Sequence, residues 1–292
     1  MLTHFSLFTG IGGIDLAAEW AGFESVGQCE WADYPTKVLE KHWPDVPRWR
    51  DVRDVTNESI RKRGIKEITL LSGGFPCQPH SVAGKRQASA DERDLWGEFA
   101  RVICEVRPKW VLAENVPGLL SSEDGRFFGR VLRNLGEMGY NVGWCMYGAD
   151  TVGAVHKRER VFLVSYSNDT RHATQKDGDK EWAKGIKDGK HPQFKYSGLH
   201  KNVTNPGSEH VERSSKDEVL GREELQSFIH ARSIEEWRER SAIYQPKLCR
   251  TYNGIPGQVD RLKCLGNAVV PQQVYPILQA IADVERSQEE TG

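Results

Sequence analysis

Short apolar runs alternate with helix-spaced stripes from His4 to Ser165. His4-Phe5-Ser6-Leu7-Phe8 reads as a short strand, followed by the turn Thr9-Gly10-Ile11-Gly12-Gly13 and a helix from about Ile14. Ser25 to Glu30 reads as a second strand and Tyr34 to His42 as a helix. The run Ile68-Thr69-Leu70-Leu71-Ser72 has the character of a buried strand. Leu95, Phe99, Val102, Ile103 and Val106 then fall on one face of a helix. Trp110-Val111-Leu112-Ala113 is the next strand and ends at Glu114-Asn115. Phe128, Val131, Leu132, Leu135 and Met138 mark a further helix, and Asn141 to Met146 and Val161 to Ser165 complete the strands. Repeated strand–helix units with short turns predict an α/β fold with a doubly wound, mostly parallel sheet.

The pattern breaks after Ser165. From Asn168 to about Ile229 the chain is polar, rich in Lys, Asp, Gly, His and Ser, with no visible period. A flexible insertion and a recognition module leaning on a larger body account for this composition equally well. Order returns near Ile234, and Val274, Ile277, Leu278 and Ile281 mark a last amphipathic helix, with Pro271 suited to its first turn. The expected organisation is a body over 1–166, a smaller inserted unit over 167–250, and a return to the body over 251–292.

Composition narrows the field. The 292 residues suit one large domain, or a large and a small one. A net charge of −1 gives no global positive field, so any nucleic-acid contact must come from local patches. Mean hydropathy is −0.59, and no apolar run approaches a membrane span. The N-terminus enters a strand at once, without the basic and apolar regions of a signal peptide. Six cysteines (Cys29, Cys77, Cys104, Cys145, Cys249, Cys264) show no C-x-x-C pair and no zinc spacing. Their scatter fits a reducing cytosol better than a disulfide framework.

The candidate chemistry lies at the predicted strand ends. Gly73-Gly74-Phe75-Pro76-Cys77-Gln78-Pro79-His80-Ser81 follows the Ile68 strand. Glycines permit unusual dihedrals and prolines stiffen the chain, so the Cys77 thiol is expected on a rigid turn where open α/β sheets bind ligands. A lone cysteine is more often a small core residue, but these neighbours favour a nucleophile. Phe8-Thr9-Gly10-Ile11-Gly12-Gly13 lets a ligand approach the backbone at a helix N-terminus, although a tight turn explains it equally well. Glu30, about twenty residues on, is placed to bind ribose hydroxyls. Trp31 can stack on an adenine or pack in the core, and Asp51 can accept from an adenine amino group or cap a turn. Glu114, directly after Val-Leu-Ala, is a carboxylate at the same sheet edge as Cys77. In His156-Lys157-Arg158-Glu159-Arg160 the two arginines share one side of an extended chain, so both are expected to face the cleft; a solvated face is the plainer alternative.

Seven segments in this order, FTGIGG, EW, DV, FPCQPHS, ENV, HKRERVFLV and LGNAVVP, resemble the DNA (cytosine-5) methyltransferase family. The resemblance covers about residues 4–165 and 250–283. It implies a Rossmann-like S-adenosylmethionine-dependent fold with a target-recognition domain where the chain turns polar. It implies that Phe8, Gly10, Gly12, Gly13, Glu30, Trp31, Asp51, Val52, Pro76, Asn267, Ala268 and Val269 line the cofactor site. Cys77, Glu114, Arg158 and Arg160 are the implied catalytic set. The small, basic stretch holding Ser81, Gly84, Lys85 and Arg86 is expected to close over a flipped cytosine, an ordinary exposed loop being the alternative. His156 and Ala268 stand where the family often has Gln and Ser.

The implied reaction is methylation of cytosine carbon 5 in duplex DNA, with S-adenosylhomocysteine as product and no metal. Cys77 would add to carbon 6, Glu114 would hold N3 and the amino group, and Arg160 would fix the base carbonyl. Arg158 would contact the flipped nucleotide or its phosphates. The implied protein is a cytoplasmic monomer in a prokaryotic or phage-infected cell, nucleoid-associated and free of membranes; a cognate restriction endonuclease is an open partner. An RNA cytosine-5 methyltransferase is the nearest rival, and the polar insertion favours a reader of duplex DNA. A silent DNA-binding relative would have no use for the Cys77, Glu114 and Arg160 set, and a metal-dependent nuclease lacks its carboxylate–histidine cluster.

Overall fold

The computed structural model describes residues 1–76, 95–154, 156–167 and 258–291. Their elements are β1 (Thr3–Leu7), α1 (Gly13–Trp20), β2 (Glu24–Cys29), α2 (Asp33–His42), β3 (Arg48–Trp49), α3 (Asn57–Lys62) and β4 (Leu70–Gly73). They continue with α4 (Trp96–Val106), β5 (Trp110–Asn115), α5 (Arg126–Glu137), β6 (Tyr140–Tyr147), β7 (Arg160–Ser167), α6 (Gln258–Asn267) and α7 (Pro271–Thr291). The strands form one sheet of order β3-β2-β1-β4-β5-β7-β6. Pairing is parallel from β3 through β5, and β7 runs antiparallel to both of its neighbours. The doubly wound, mostly parallel sheet expected from the apolar pattern is therefore present.

Alternating side chains divide the core between two faces. Leu70, Leu112, Phe162 and Val164 pack with Ala17 and Ala18 of α1 and with Val274, Ile277, Leu278 and Ile281 of α7. Leu71, Val111, Ala113, Val161 and Leu163 pack on the other face with Ile60, Phe99, Val102, Ile103, Phe128 and Val131 from α3, α4 and α5. The last helix thus covers the same face as the first.

Two short elements are absent from the apolar pattern. β3 is only two residues long, paired Gln28↔Arg48 and Cys29↔Trp49. The short α3 has no counterpart in the apolar pattern; a capping box starts it, with Ser59 N–H donating to the Thr56 hydroxyl and Thr56 N–H to the Ser59 hydroxyl. Ser167, expected to open the inserted unit over 167–250, instead ends β7; the rest of that unit and the return of order near Ile234 lie outside the described residues. Among the described residues no helix is long and apolar enough to cross a membrane.

Candidate active site

Strand direction assembles the site. β1, β4 and β5 end together in register, with Leu7↔Gly73 and Gly73↔Ala113 as partners. Antiparallel β7 begins at this same edge, so Arg160 meets the end of β5. Glu114 pairs with Phe162 across the ladder, which makes Arg160 its diagonal neighbour on one face. The Arg160 Nε donates to Glu114 Oε1 at 2.8 Å. Burial pushes the Glu114 carboxyl up to about 7, while Arg160 and Arg158 pull it down. The result is a buried carboxyl able to exist in either protonation state near neutrality.

The glycines before Cys77 matter for room, not for unusual dihedrals. Neither Gly73 nor Gly74 has a positive φ. A Cβ on Gly73 would stand 2.8 Å from the Leu7 carbonyl oxygen, and one on Gly74 would stand 2.9 Å from Glu114 Oε2. The chain therefore passes directly beside the buried carboxylate three residues before Cys77. Phe75 anchors that entry in an aromatic nest of Trp96, Phe99 and Phe127. Asn115 completes the anchor: its Nδ2 donates to the Phe75 carbonyl at 2.9 Å while its Oδ1 accepts from Val116 N–H at 2.8 Å. Pro76 is exposed at the rim. Cys77 itself, and Ser81, Gly84, Lys85 and Arg86, lie outside the described residues. Two other cysteines, Cys29 and Cys145, are core thiols that burial pushes up to about 12, far from a usable nucleophile.

The glycine turn faces the same cleft. Phe8, Gly10, Gly13, Gly74, Glu114, Asn267, Ala268 and Val269 line it together with Asp15. Phe8 (φ 52°) and Gly12 (φ 86°) carry the turn through the left-handed region. Gly13 has no positive φ, but a Cβ there would stand 2.4 Å from the Val269 carbonyl oxygen, so only glycine admits the 267–269 segment. Glu30 is held from both sides, accepting from Gly10 N–H at 2.7 Å and from Ala32 N–H at 2.8 Å. Each of its oxygens keeps a lone pair for a further donor. Trp31 is 69% exposed beside it, which rejects the core-packing alternative and leaves a face for stacking. These positions fit an adenosine-bearing ligand: an acceptor for ribose hydroxyls, a free indole face, and close backbone approach at the turn.

Asp51 caps the short turn of Val52 to Asp54, accepting from Arg53 N–H at 2.9 Å and from Arg53 Nε at 3.0 and 3.1 Å. Burial works against its ionisation, yet the bonds from Arg53 hold the carboxyl below the usual range. The turn alternative is thus realised. Val52 is buried, and its carbonyl accepts from Arg101 Nη2 at 2.9 Å.

Arg158 departs from expectation. β7 starts at Arg160, and Arg158 sits before it with φ 36°, so the two arginines do not share one side of an extended chain. Arg160 reaches Glu114, whereas Arg158 Nη2 donates to the carbonyls of Gly266 and Ala268 at 2.7 and 2.6 Å. Sequence reasoning also passed over Asp15. Its Oδ1 accepts from Ser6 Oγ at 2.9 Å and Gln28 Nε2 at 3.0 Å, and burial raises its carboxyl to about 6. An acid in the first turn after a glycine loop was the available signal.

Comparison with known proteins gives the family. The family model for C-5 cytosine-specific DNA methylases matches residues 2–251. The chain belongs to this family. Among similar curated proteins, type II methyltransferase M.BsuFI of Bacillus subtilis is 36% identical over 169 residues, covering 58% of this chain and 40% of that protein. M.HhaI of Haemophilus parahaemolyticus is 32% identical over 169 residues, covering 58% of this chain and 50% of its own. The matched stretch thus spans about half or less of these relatives. Among solved structures, DNMT2 of Spodoptera frugiperda shares the fold, with TM-score 0.57 over 97% of this chain and 99% of its own at 15% identity. A prophage-encoded E. coli chain described as a DNA modification methyltransferase has TM-score 0.51 and 26% identity over 57% of this chain and 47% of its own.

Proposed function

We propose that this protein transfers a methyl group from S-adenosylmethionine to carbon 5 of a cytosine turned out of duplex DNA, through a covalent bond between Cys77 and carbon 6. The observation that carries this reading is the buried Glu114–Arg160 pair, set beside Gly74, three residues before Cys77, and in one cleft with the glycine turn and Asn267–Val269. Membership of the cytosine-5 family supports it.

Carbon 5 is a poor nucleophile until sulfur adds at carbon 6 and turns the ring into an enamine. Cys77 does this as a thiolate. Glu114, with its carboxyl near 7, holds N3 and the exocyclic amino group and shares a proton with the ring as the thiolate adds. Arg160 orients Glu114 and donates to the base carbonyl. When bound, S-adenosylmethionine supplies an electrophilic methyl on a sulfonium. Glu30 and Trp31 hold its adenosine, and the Phe8–Gly13 turn and Asn267–Val269 enclose the rest. Water removes the carbon-5 proton and Cys77 leaves. Lys85 and Arg86 belong to the loop that closes over the base, and residues 167–250 read the DNA sequence. We place the enzyme in the cytoplasm as a monomer, in service of a restriction–modification system.

Two assays test the reading. Bisulfite sequencing of DNA from cells expressing the chain reports methylated cytosines in one sequence context. Duplex carrying 5-fluorocytosine in that context then traps a denaturant-stable adduct that Cys77→Ala abolishes. Labelled methyl entering tRNA but not duplex DNA would overturn the choice of substrate. A Cys77→Ala protein that methylates at the parent rate would overturn the mechanism.

A further inference from the structure

We propose that Arg158 is a positioning residue that clamps the Gly266–Ala268 turn and so builds one wall of the cofactor cleft, instead of gripping DNA phosphate. This rests on the reading of that cleft as the S-adenosylmethionine site. α6 ends at Asn267, so the carbonyls around it lack helical partners. A cation at a helix C-terminus satisfies such carbonyls and complements the dipole. Arg158 supplies it, one Nη2 donating to both Gly266 and Ala268 carbonyls at 2.7 and 2.6 Å.

The other side of the turn is closed by backbone. Val269 lies against Gly13 with no room for a Cβ between them. The clamp is itself braced: the Arg158 carbonyl accepts from Gln273 Nε2 at 3.1 Å, and the same amide donates to the Tyr147 carbonyl at 2.8 Å. Gln273 is fully buried in the first turn of α7. The left-handed backbone at Arg158 (φ 36°) costs energy in a non-glycine residue and is held by these contacts. It turns the Arg158 side chain away from the direction taken by Arg160. One arginine thus serves the base side of the site and the other the cofactor side, two residues apart on one segment.

The test uses the full chain without methyl transfer. Titration calorimetry with S-adenosylhomocysteine compares the parent, Arg158→Ala and Arg158→Lys. Losing hydrogen bonds to a charged group should weaken binding about tenfold or more in the alanine variant, and lysine should recover part of the loss. Binding to a mixed-sequence duplex, followed by fluorescence anisotropy over a salt series, should keep the parent slope. A slope lower by about 1 in magnitude is the mark of a lost phosphate contact and overturns the clamp. So does S-adenosylhomocysteine affinity within about twofold of the parent, since a lost charged bond is worth more. Should the alanine variant fail to fold, Arg158→Met, which keeps the length of the side chain and loses its donors, decides by the same two readouts. A parent that binds no S-adenosylhomocysteine overturns the reading of the cleft and the clamp with it; a parent that binds while its variants bind equally well overturns the clamp alone.

Discussion

Glu114 is caught between burial and two guanidinium groups, and the balance sets its work. Burial alone would keep the carboxyl neutral; Arg160 at 2.8 Å and the charge of Arg158 favour the anion. The compromise near 7 has consequences for both stability and rate. The folded value lies above the ordinary 4.5, so folding takes up a proton between about 4.5 and 7, and this group's stabilisation falls as pH rises through that window. On the proposed mechanism, the proton that Glu114 would share with cytosine N3 is present below about 7 and lost above it. The value of kcat/KM for methyl transfer should therefore show a descending limb near pH 7, which Glu114→Gln should flatten. The variant should be slower by about a hundredfold or more, the usual size of a positioned proton donor. A steady-state pH series on both proteins checks this, and an unchanged descending limb in the glutamine variant would assign it to another group.

Arg101 shows how one buried side chain fastens a turn to a neighbouring helix. It belongs to α4 and is fully buried, which is rare for an arginine. Glu98 and Glu105 flank it on the same helix at 2.7 and 2.9 Å, and its two terminal nitrogens donate to the carbonyls of Val55 and Val52. The turn carrying Asp51 and Val52 is thereby fastened to α4. Arg101→Met should cost about 3 kcal/mol in urea unfolding, because two partly buried carboxylates lose their counter-charge. It should also weaken S-adenosylhomocysteine binding measurably by calorimetry. None of this was visible in the sequence, where Arg101 looks like one polar residue on an amphipathic helix. What was visible follows a simple rule. Leu70, Leu71, Val111 and Leu112 are buried on both faces of a central strand, so their segments read as apolar runs. Glu114 stood out because a carboxyl had to follow such a run into the interior. Short elements left no such trace: β3 has two residues, and the six-residue α3 starts at a capping box. Arg158 was misplaced because the every-second-residue rule assumes extended backbone, and φ 36° breaks it. Gly73 and Gly74 were rightly singled out for the wrong reason, since neighbouring atoms, not dihedrals, require them.

The order of the chain differs from the order of the molecule, and α7 reconciles them. It comes last in sequence, yet it packs beside α1 on the face that β1, β4 and β5 share. Its first turn is tied to Tyr147 and Arg158 through Gln273, and further along it reaches the start of β5. There Glu285, only 2% exposed, accepts from Trp110 Nε1 at 3.0 Å and pairs with Lys109 at 2.8 Å, across more than 170 residues of chain. Loop-closure cost grows only slowly with length, so a modest set of buried contacts can hold so distant a segment in place. Glu285→Ala would leave the buried indole N–H without an acceptor and Lys109 without its anion. The expected loss is about 2 kcal/mol, seen as a lower urea midpoint at unchanged slope. This site lies at the start of β5 and the cleft at its end, so S-adenosylhomocysteine affinity should stay within about twofold of the parent, a change below the worth of one hydrogen bond. With the proposed Arg158 clamp the two ends of α7 would then separate: its far end would hold the body together, while its first turn, with Arg158, would support the ligand wall. Equal losses of stability and affinity in Glu285→Ala would mean that the helix moves as one rigid lever, and that the cleft is tuned by anchoring at the opposite edge of the sheet.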